Sequence, residues 1–239
     1  MHPRIYVIGY NNQERLDRCL ESIPPKYERV VLDNGATDLT VPHGVEYIKT
    51  GPGWFTPCFN FALRDAMKHN AIPIICNDDI EVELDCFEKM LEAIAQGAGI
   101  VSPMIVDMNM PDQIIMGGTA QAYPSGMHLV GTRGLQHNEP REYPWLPFCV
   151  VAVNPLVIEE CGLLDRNLKM IFSDSDYSIR CRHAGYSVLY LPSAVIKHEQ
   201  SSSIKAERAA KNQRLEYQML ADRIYFEGKY GGNILRGLS

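Results

Sequence analysis

Residues 72–79 read Ile72-Pro73-Ile74-Ile75-Cys76-Asn77-Asp78-Asp79, an apolar run that stops abruptly at three polar side chains. Five consecutive non-polar residues without alternation mark a strand covered on both faces, as in a parallel sheet with helices packed on each side. The same pattern extends toward the N-terminus. Ile5-Tyr6-Val7-Ile8 and Arg29-Val30-Val31-Leu32 are strand-like. Between them Leu16, Cys19, Leu20 and Ile23 fall at i, i+3, i+4, i+7 on one helix face, which Pro24-Pro25 ends. A short strand near residues 45–48 precedes a helix expected to be capped by Thr56, with Pro57 at its first position and Phe59, Ala62, Leu63 and Ala66 inward. Toward the C-terminus, Phe87, Met90, Leu91 and Ile94 form another helix face, with Gly97 just past its end. Strands alternating with helices imply right-handed βαβ crossovers and an α/β fold.

After residue 100 the character changes. Residues 106–145 are rich in Gly, Pro, Met and His and read as irregular strands and loops, the expected substrate-facing portion. A strand is expected over 147–153, a short helix from Asn154-Pro155, a helix over 173–183 ending at Gly185, strands over 186–191 and 195–197, and a last helical stretch over 205–229. With no repeat or linker, the chain reads as one compact domain: a body over 1–204 and a basic helical extension over 205–239 packed on it. That extension, with Leu215, Met219, Leu220, Ile224 and Phe226, is free to pack on the body or to mediate an oligomer.

The 239 residues carry 23 Lys+Arg against 29 Asp+Glu, a formal net charge of −6, with 46% hydrophobic content. This excludes disordered, collagen-like and coiled-coil chains, and mild acidity argues against a general nucleic-acid binder. No apolar run reaches the ~18–20 residues of a membrane span, and Met1-His2-Pro3-Arg4 lacks a signal-peptide pattern. The seven cysteines are scattered without a CxxC pair, which suits core thiols in a reducing cytoplasm. The charge is uneven: residues 1–200 are net −9 and residues 201–239 net +3. Lys205, Arg208, Lys211 and Arg214 form a basic stripe, readable as a solvated helix face or as a contact for an anionic acceptor, a phosphate or a membrane surface.

Ligands of open parallel sheets bind outside the C-terminal strand ends, where this sequence places Asp33 and the pair Asp78-Asp79. Adjacent carboxylates there need solvent or a cation. Mg2+ and Mn2+ prefer oxygen ligands and are commonly shared with substrate phosphates, so a nucleotide diphosphate is a natural occupant. Asp and Asn are also common turn formers, and both clusters read equally as turns. In Ser173-Asp174-Ser175-Asp176, Ser173 and Asp176 resemble a capping box, while Asp174 is left over as a candidate general base. His198 follows the last strand and is either a satisfied polar residue or part of the same strand-end site.

Taken in order, Val7-Ile8-Gly9-Tyr10-Asn11-Asn12, Val31-Leu32-Asp33-Asn34-Gly35-Ala36-Thr37-Asp38 and Cys76-Asn77-Asp78-Asp79-Ile80-Glu81-Val82 resemble the N-terminal half of family 2 glycosyltransferases. Phe172-Ser173-Asp174-Ser175-Asp176-Tyr177-Ser178-Ile179-Arg180, Ala184-Gly185-Tyr186-Ser187-Val188-Leu189-Tyr190-Leu191-Pro192 and Val195-Ile196-Lys197-His198 resemble its second half. The resemblance spans about residues 4–200, with rhamnosyl- and galactofuranosyl-type transferases nearest in style. It implies a single-domain, Rossmann-like glycosyltransferase A-type fold with a mixed, mostly parallel central sheet. It also implies an inverting, nucleotide-sugar-dependent activity using Mn2+ or Mg2+. By position, Tyr10 would pack on the nucleobase and Asp33 hydrogen-bond it, which favours a UDP-sugar. Trp54 would stack on the donor, and Asn77 and Asp78 would lie near its ribose and diphosphate. Asp79 would bind the metal, His198 would complete the metal or diphosphate site, and Asp174 would be the base. Four places depart from the family pattern: Asn77 replaces the first acid of its metal motif, Ser173 the Glu before the base, Pro147-Phe148-Cys149 the small residues usual before the acceptor-side helix, and Trp54 a residue that is often small or basic near the donor.

These residue types suit a single displacement. Asp174 would take the proton of an acceptor hydroxyl, and no second carboxylate nucleophile is present for a retaining double displacement. The acceptor could be a glycan, a lipid-linked intermediate, a protein or a modified nucleic acid. The expected compartment is cytoplasmic, with room for peripheral contact at a membrane. Two alternatives stand beside this reading: a sugar nucleotidyltransferase, which the absence of a glycine-rich basic loop after the first strand disfavours, and a degenerate nucleotide-sugar-binding module.

Overall fold

The computed structural model describes residues 1–119, 128–199 and 213–231. Lys205, Arg208 and Lys211 of the basic stripe lie outside the described residues, as does the start expected for the last helix.

The first half follows the alternation in the sequence: β1 (His2–Gly9), α1 (Gln13–Ser22), β2 (Glu28–Asp33), β3 (Glu46–Lys49), α2 (Phe55–Lys68), β4 (Ala71–Asn77), β5 (Ile80–Val82) and α3 (Cys86–Ala95). The second half is less regular: β6 (Ile100–Asp107), β7 (Gln113–Met116), β8 (Gly131–Thr132), β9 (Arg141–Glu142), β10 (Val150–Val153), α4 (Pro155–Cys161), α5 (Ser173–His183), β11 (Val188–His198) and α6 (Gln213–Tyr230). The main sheet order is β3-β2-β1-β4-β10-β6-β11-β5. The pairs β1–β2, β1–β4, β2–β3 and β6–β11 are parallel. β10 runs antiparallel to both β4 and β6, and β5 antiparallel to β11, so the sheet is mixed and mostly parallel as expected.

Both faces of the sheet are covered, which explains the unbroken apolar runs. Ile5, Val7, Ile74 and Cys76 point into one core layer with Leu16, Cys19, Phe87 and Met90 of α1 and α3. Tyr6, Ile8 and Ile75 point into the other with Phe59, Leu63, Val157 and Tyr177 of α2, α4 and α5. Each large apolar side chain so buried contributes about 1.5–3 kcal/mol, and β4 has almost no polar position until Asn77.

Three local expectations are corrected. Thr56 does not cap α2; the helix begins two residues earlier, at Phe55 rather than Pro57, and the Thr56 N–H donates to the Lys169 carbonyl at 3.1 Å, so this end needs no side-chain cap. The capping box at 173–176 does not form, since Ser173 is already helical, Phe172 precedes it in the left-handed region (φ 63°), and the Asp176 carboxylate pairs with Arg180 at 2.9 Å. The strands over 186–191 and 195–197 are one strand, β11, with an irregularity between Leu191 and Val195. In α6, Leu215 and Phe226 are buried, whereas Leu220 and Ile224 face outward. All seven cysteines are free thiols.

Candidate functional site

β1, β2 and β4 end side by side at Gly9, Asp33 and Asn77. Beyond these ends lies a cavity of about 200 Å³ whose wall includes Tyr10, Trp54, Asn77, Asp78 and Asp79. Five of the eight residues expected from the sequence therefore meet in one cleft.

Asp33 stands apart. Its carboxylate is fully buried and accepts from the Gly35 and Leu39 N–H groups (3.1 Å each), the Tyr47 hydroxyl (2.7 Å) and the Lys49 ammonium (3.0 Å). Burial alone would raise its pKa, but the Tyr47 and Lys49 bonds and the two backbone donors hold it below the ordinary carboxylate range. In this structure Asp33 organises the loop, and its neighbour Asn34 presents the cleft wall. Gly51 makes the close approach possible: a Cβ there would stand 2.3 Å from the Asn34 carbonyl oxygen.

Asp78 is buried and accepts the Tyr10 N–H at 2.7 Å. Burial pushes its carboxyl up to about 7, against the pull of that N–H and with a smaller push from the Asp79 charge. At neutral pH it can therefore donate or accept toward a ligand hydroxyl or phosphate.

Asp79 and His198 are brought together by backbone pairing. His198 lies opposite Ile80 in the β5–β11 ladder, and the Glu199 N–H donates to the Asp79 carbonyl at 2.9 Å. The Asp79 Oδ1 then faces the His198 Nε2 at 3.3 Å, with both side chains buried. A carboxylate oxygen and an imidazole nitrogen converging in this way fit Mn2+ or Mg2+, which take few protein ligands and complete their shell from substrate phosphates. Among the described residues there is no group of three or more His, Cys, Asp or Glu side chains able to hold an ion by themselves. The donor set suits an ion shared with a ligand.

Asp174 sits in the first turn of α5 and does not line the cavity. Burial pushes its carboxyl up to about 6, against the Ser175 N–H, which it accepts at 2.8 Å. The half-buried Cys149 thiol is raised by burial first and then by the charges of Asp79 and Asp174, so the base candidate and the metal candidate share a neighbour.

The sequence reading missed the contribution of α6. Met170, Arg214 and Leu215 join the cavity wall, and the Arg214 guanidinium lies over the Trp54 ring at 4.9 Å. Arg214 was visible only as one member of the basic stripe. Nothing in the local sequence signalled that α6 would reach the cavity at the strand ends.

No family model matches the chain. It is 28% identical over 261 residues to the N-acetylglucosaminyl-diphospho-decaprenol L-rhamnosyltransferase of Mycobacterium tuberculosis, in strain CDC 1551 / Oshkosh and in strain ATCC 25618 / H37Rv alike, covering 92% of this chain and 84% of that protein. Among solved structures, a crystal structure of GalNAc-T7 with UDP, GalNAc and Mn2+ superposes with a TM-score of 0.61 at 16% identity over 82% of this chain. S. aureus TarS superposes with a TM-score of 0.55 at 14% identity over 84% of it. The chain spans 44% and 37% of those two chains, so at these identities the likeness is one of fold. The resemblance to family 2 glycosyltransferases is borne out, and the chain is a glycosyltransferase with the A-type fold.

Proposed function

We propose that this chain is a metal-dependent, inverting glycosyltransferase that moves a hexosyl or deoxyhexosyl unit from a nucleotide diphosphate to a hydroxyl of a lipid-diphosphate-linked sugar. The reading is carried by the Asp79–His198 pair, 3.3 Å apart at the strand ends, in the same cleft as Tyr10, Trp54 and Asp78. The acceptor class is suggested by the name of the mycobacterial relative, and the nucleotide-sugar donor agrees with the UDP in the GalNAc-T7 crystal. A UDP-sugar is the favoured donor. No helix among the described residues is long and apolar enough to cross a membrane, which is compatible with work from the cytoplasmic side at a membrane surface.

In this mechanism the nucleotide lies between Tyr10, Asn34 and Trp54, with its ribose and diphosphate toward Asn77 and Asp78. Asp79 and His198 would hold a divalent cation, which when bound supplies Lewis-acid neutralisation of the departing diphosphate. Asp174 accepts the proton of the acceptor hydroxyl as its oxygen bonds to the anomeric carbon. The bond from that carbon to the diphosphate oxygen breaks on the opposite face, so configuration inverts. The raised pKa of Asp174, about 6, makes it a stronger base than an ordinary carboxylate while leaving it mostly ionised at pH 7.

Asp174→Asn tests the assignment. Turnover should fall by about 10²–10⁴ while binding of the nucleoside diphosphate survives. The anomeric configuration of the wild-type product, read by NMR across a panel of nucleotide sugars, should be opposite to that of the donor. Full turnover in the Asn variant would refute the base, and retention of configuration would refute the single displacement.

A further inference from the structure

Asp222 is fully buried in the middle of α6 and caps no helix there. Its carboxylate collects three successive backbone N–H groups from the segment before α5. Lys169 donates to Oδ1 at 3.1 Å, and Met170 and Ile171 donate to Oδ2 at 2.7 and 2.9 Å. Gln218, one turn earlier on α6, donates its Nε2 to Oδ1 at 2.7 Å and steadies the acceptor. Charge-assisted bonds of this kind are about twice as strong as neutral ones, and they satisfy peptide donors in a stretch without secondary structure of its own.

The latched segment has two connections to the site. Met170 lines the donor cavity, and the Lys169 carbonyl accepts the Thr56 N–H at the start of α2, next to Trp54. Three residues on from the latch is Asp174, reached through Phe172, a non-glycine residue held at φ 63°. The Phe172 ring stacks on Phe226 of α6, with centroids 4.9 Å apart. Past the base, Asp176 accepts the Tyr230 hydroxyl at 2.7 Å and pairs with Lys229 at 2.6 Å. α6 thus grips residues 169–176 before and after Asp174, and the carboxylate of Asp222 is the grip nearest the donor.

We propose that Asp222 is a positioning residue of the transfer reaction, fixing residues 169–171 so that Asp174 meets the acceptor hydroxyl while Met170 shapes the donor cavity. The proposal rests on the reading of Asp174 as the base. Asp222→Asn keeps the shape but turns an amide NH2 toward backbone donors, so the three bonds cannot all persist.

The test is a double-mutant cycle with the donor and acceptor that the nucleotide-sugar panel identifies. It compares wild type, Asp222→Asn, Asp174→Asn and the double variant, with Tyr225→Phe as a control that loosens α6 through Asp165 instead. Melting temperature and UDP–Mn2+ affinity by calorimetry are followed in parallel. Asp222→Asn should lower kcat at least about tenfold, as misplacement of a catalytic group does, with UDP–Mn2+ affinity within about threefold and the control unchanged. The double variant should be no slower than Asp174→Asn alone, because both changes disable the same group. Reductions that multiply in the double variant, or a kcat for Asp222→Asn within about twofold of wild type, would overturn the proposal. A fully active Asp174→Asn would overturn the base assignment and this proposal with it. If Asp222→Asn does not fold, Gln218→Leu, which removes only the side-chain bond to the same carboxylate, runs the same cycle with an expected loss of about two- to threefold.

Discussion

The acid limb of the pH–rate profile follows from the burial of one carboxyl. With donor and Mn2+ saturating, the enzyme form that meets the acceptor already has its nucleotide cleft engaged, so kcat/KM for the acceptor reports the base. Burial sets Asp174 at about 6, where an ordinary Asp lies at 3.8. About ten-elevenths of it is then ionised at pH 7 and about one-eleventh at pH 5, a tenfold fall in acceptor kcat/KM over that window. An ordinary Asp would lose less than about a tenth over the same range. The assay is initial-rate transfer at fixed donor and at two Mn2+ concentrations, so that a limb caused by weakened metal binding moves with Mn2+ and the Asp174 limb does not. In Asp174→Asn the residual rate should be flat. A flat wild-type profile down to pH 5, or an unchanged limb in the Asn variant, would refute the reasoning.

Two further outcomes follow from the geometry. His198→Ala removes one of the two side chains proposed to hold the cation and should raise the Mn2+ concentration for half-maximal activity by about 10–100-fold, by the scale of changes at metal-site residues; an unchanged requirement excludes His198 as a ligand. Asp33→Ala strands two N–H groups and the Tyr47 hydroxyl around a buried void and should destabilise the fold by about 2–3 kcal/mol in urea unfolding, less than the ~3–5 kcal/mol of a broken buried pair because Lys49 can turn to solvent. Because the folded-state pKa of Asp33 is depressed, that contribution is present above the ordinary carboxylate range and fades as pH falls through the depressed value. A stability gap between the two proteins that widens in acid would contradict the hydrogen bonds drawn to Asp33.

The parallel half of the fold was legible because its signal is local and doubled. Each central strand is apolar on both faces and each helix on one, so the helices and parallel strands of residues 4–97 could be read from period and breaker residues, whereas the three-residue β5 was too short to leave a period and was not expected. Asp78 and Asp79 were legible for a related reason: charge at the end of a fully buried strand has only the strand-end cleft to face. What escaped depends on contacts distant in the chain. Thr56 looked like a cap because Lys169, more than a hundred residues away, cannot be seen beside it. Asp176 looked like the partner of Ser173, when its partners are Arg180 in the same helix and Lys229 and Tyr230 in α6. The hydrogen bonds that enclose Asp33 were not visible either, because its four donors come from the loop after β2 and from β3.

β6 and β10 are neighbours in the sheet and antiparallel, with Val101 opposite Ala152 and Ile100 opposite Val153. The forty or so residues between them therefore leave and re-enter at the same end of two adjacent central strands, the end where the site opens. Loops within that excursion can lengthen at little cost, since doubling a loop adds only about 0.6 kcal/mol of closure entropy, but its strands are tied to the frame: β7 pairs with β6 and β9 with β11. On the proposed reading, β1, β2 and β4 handle the donor, and it is the loops of the excursion rather than its strands that can change with the acceptor.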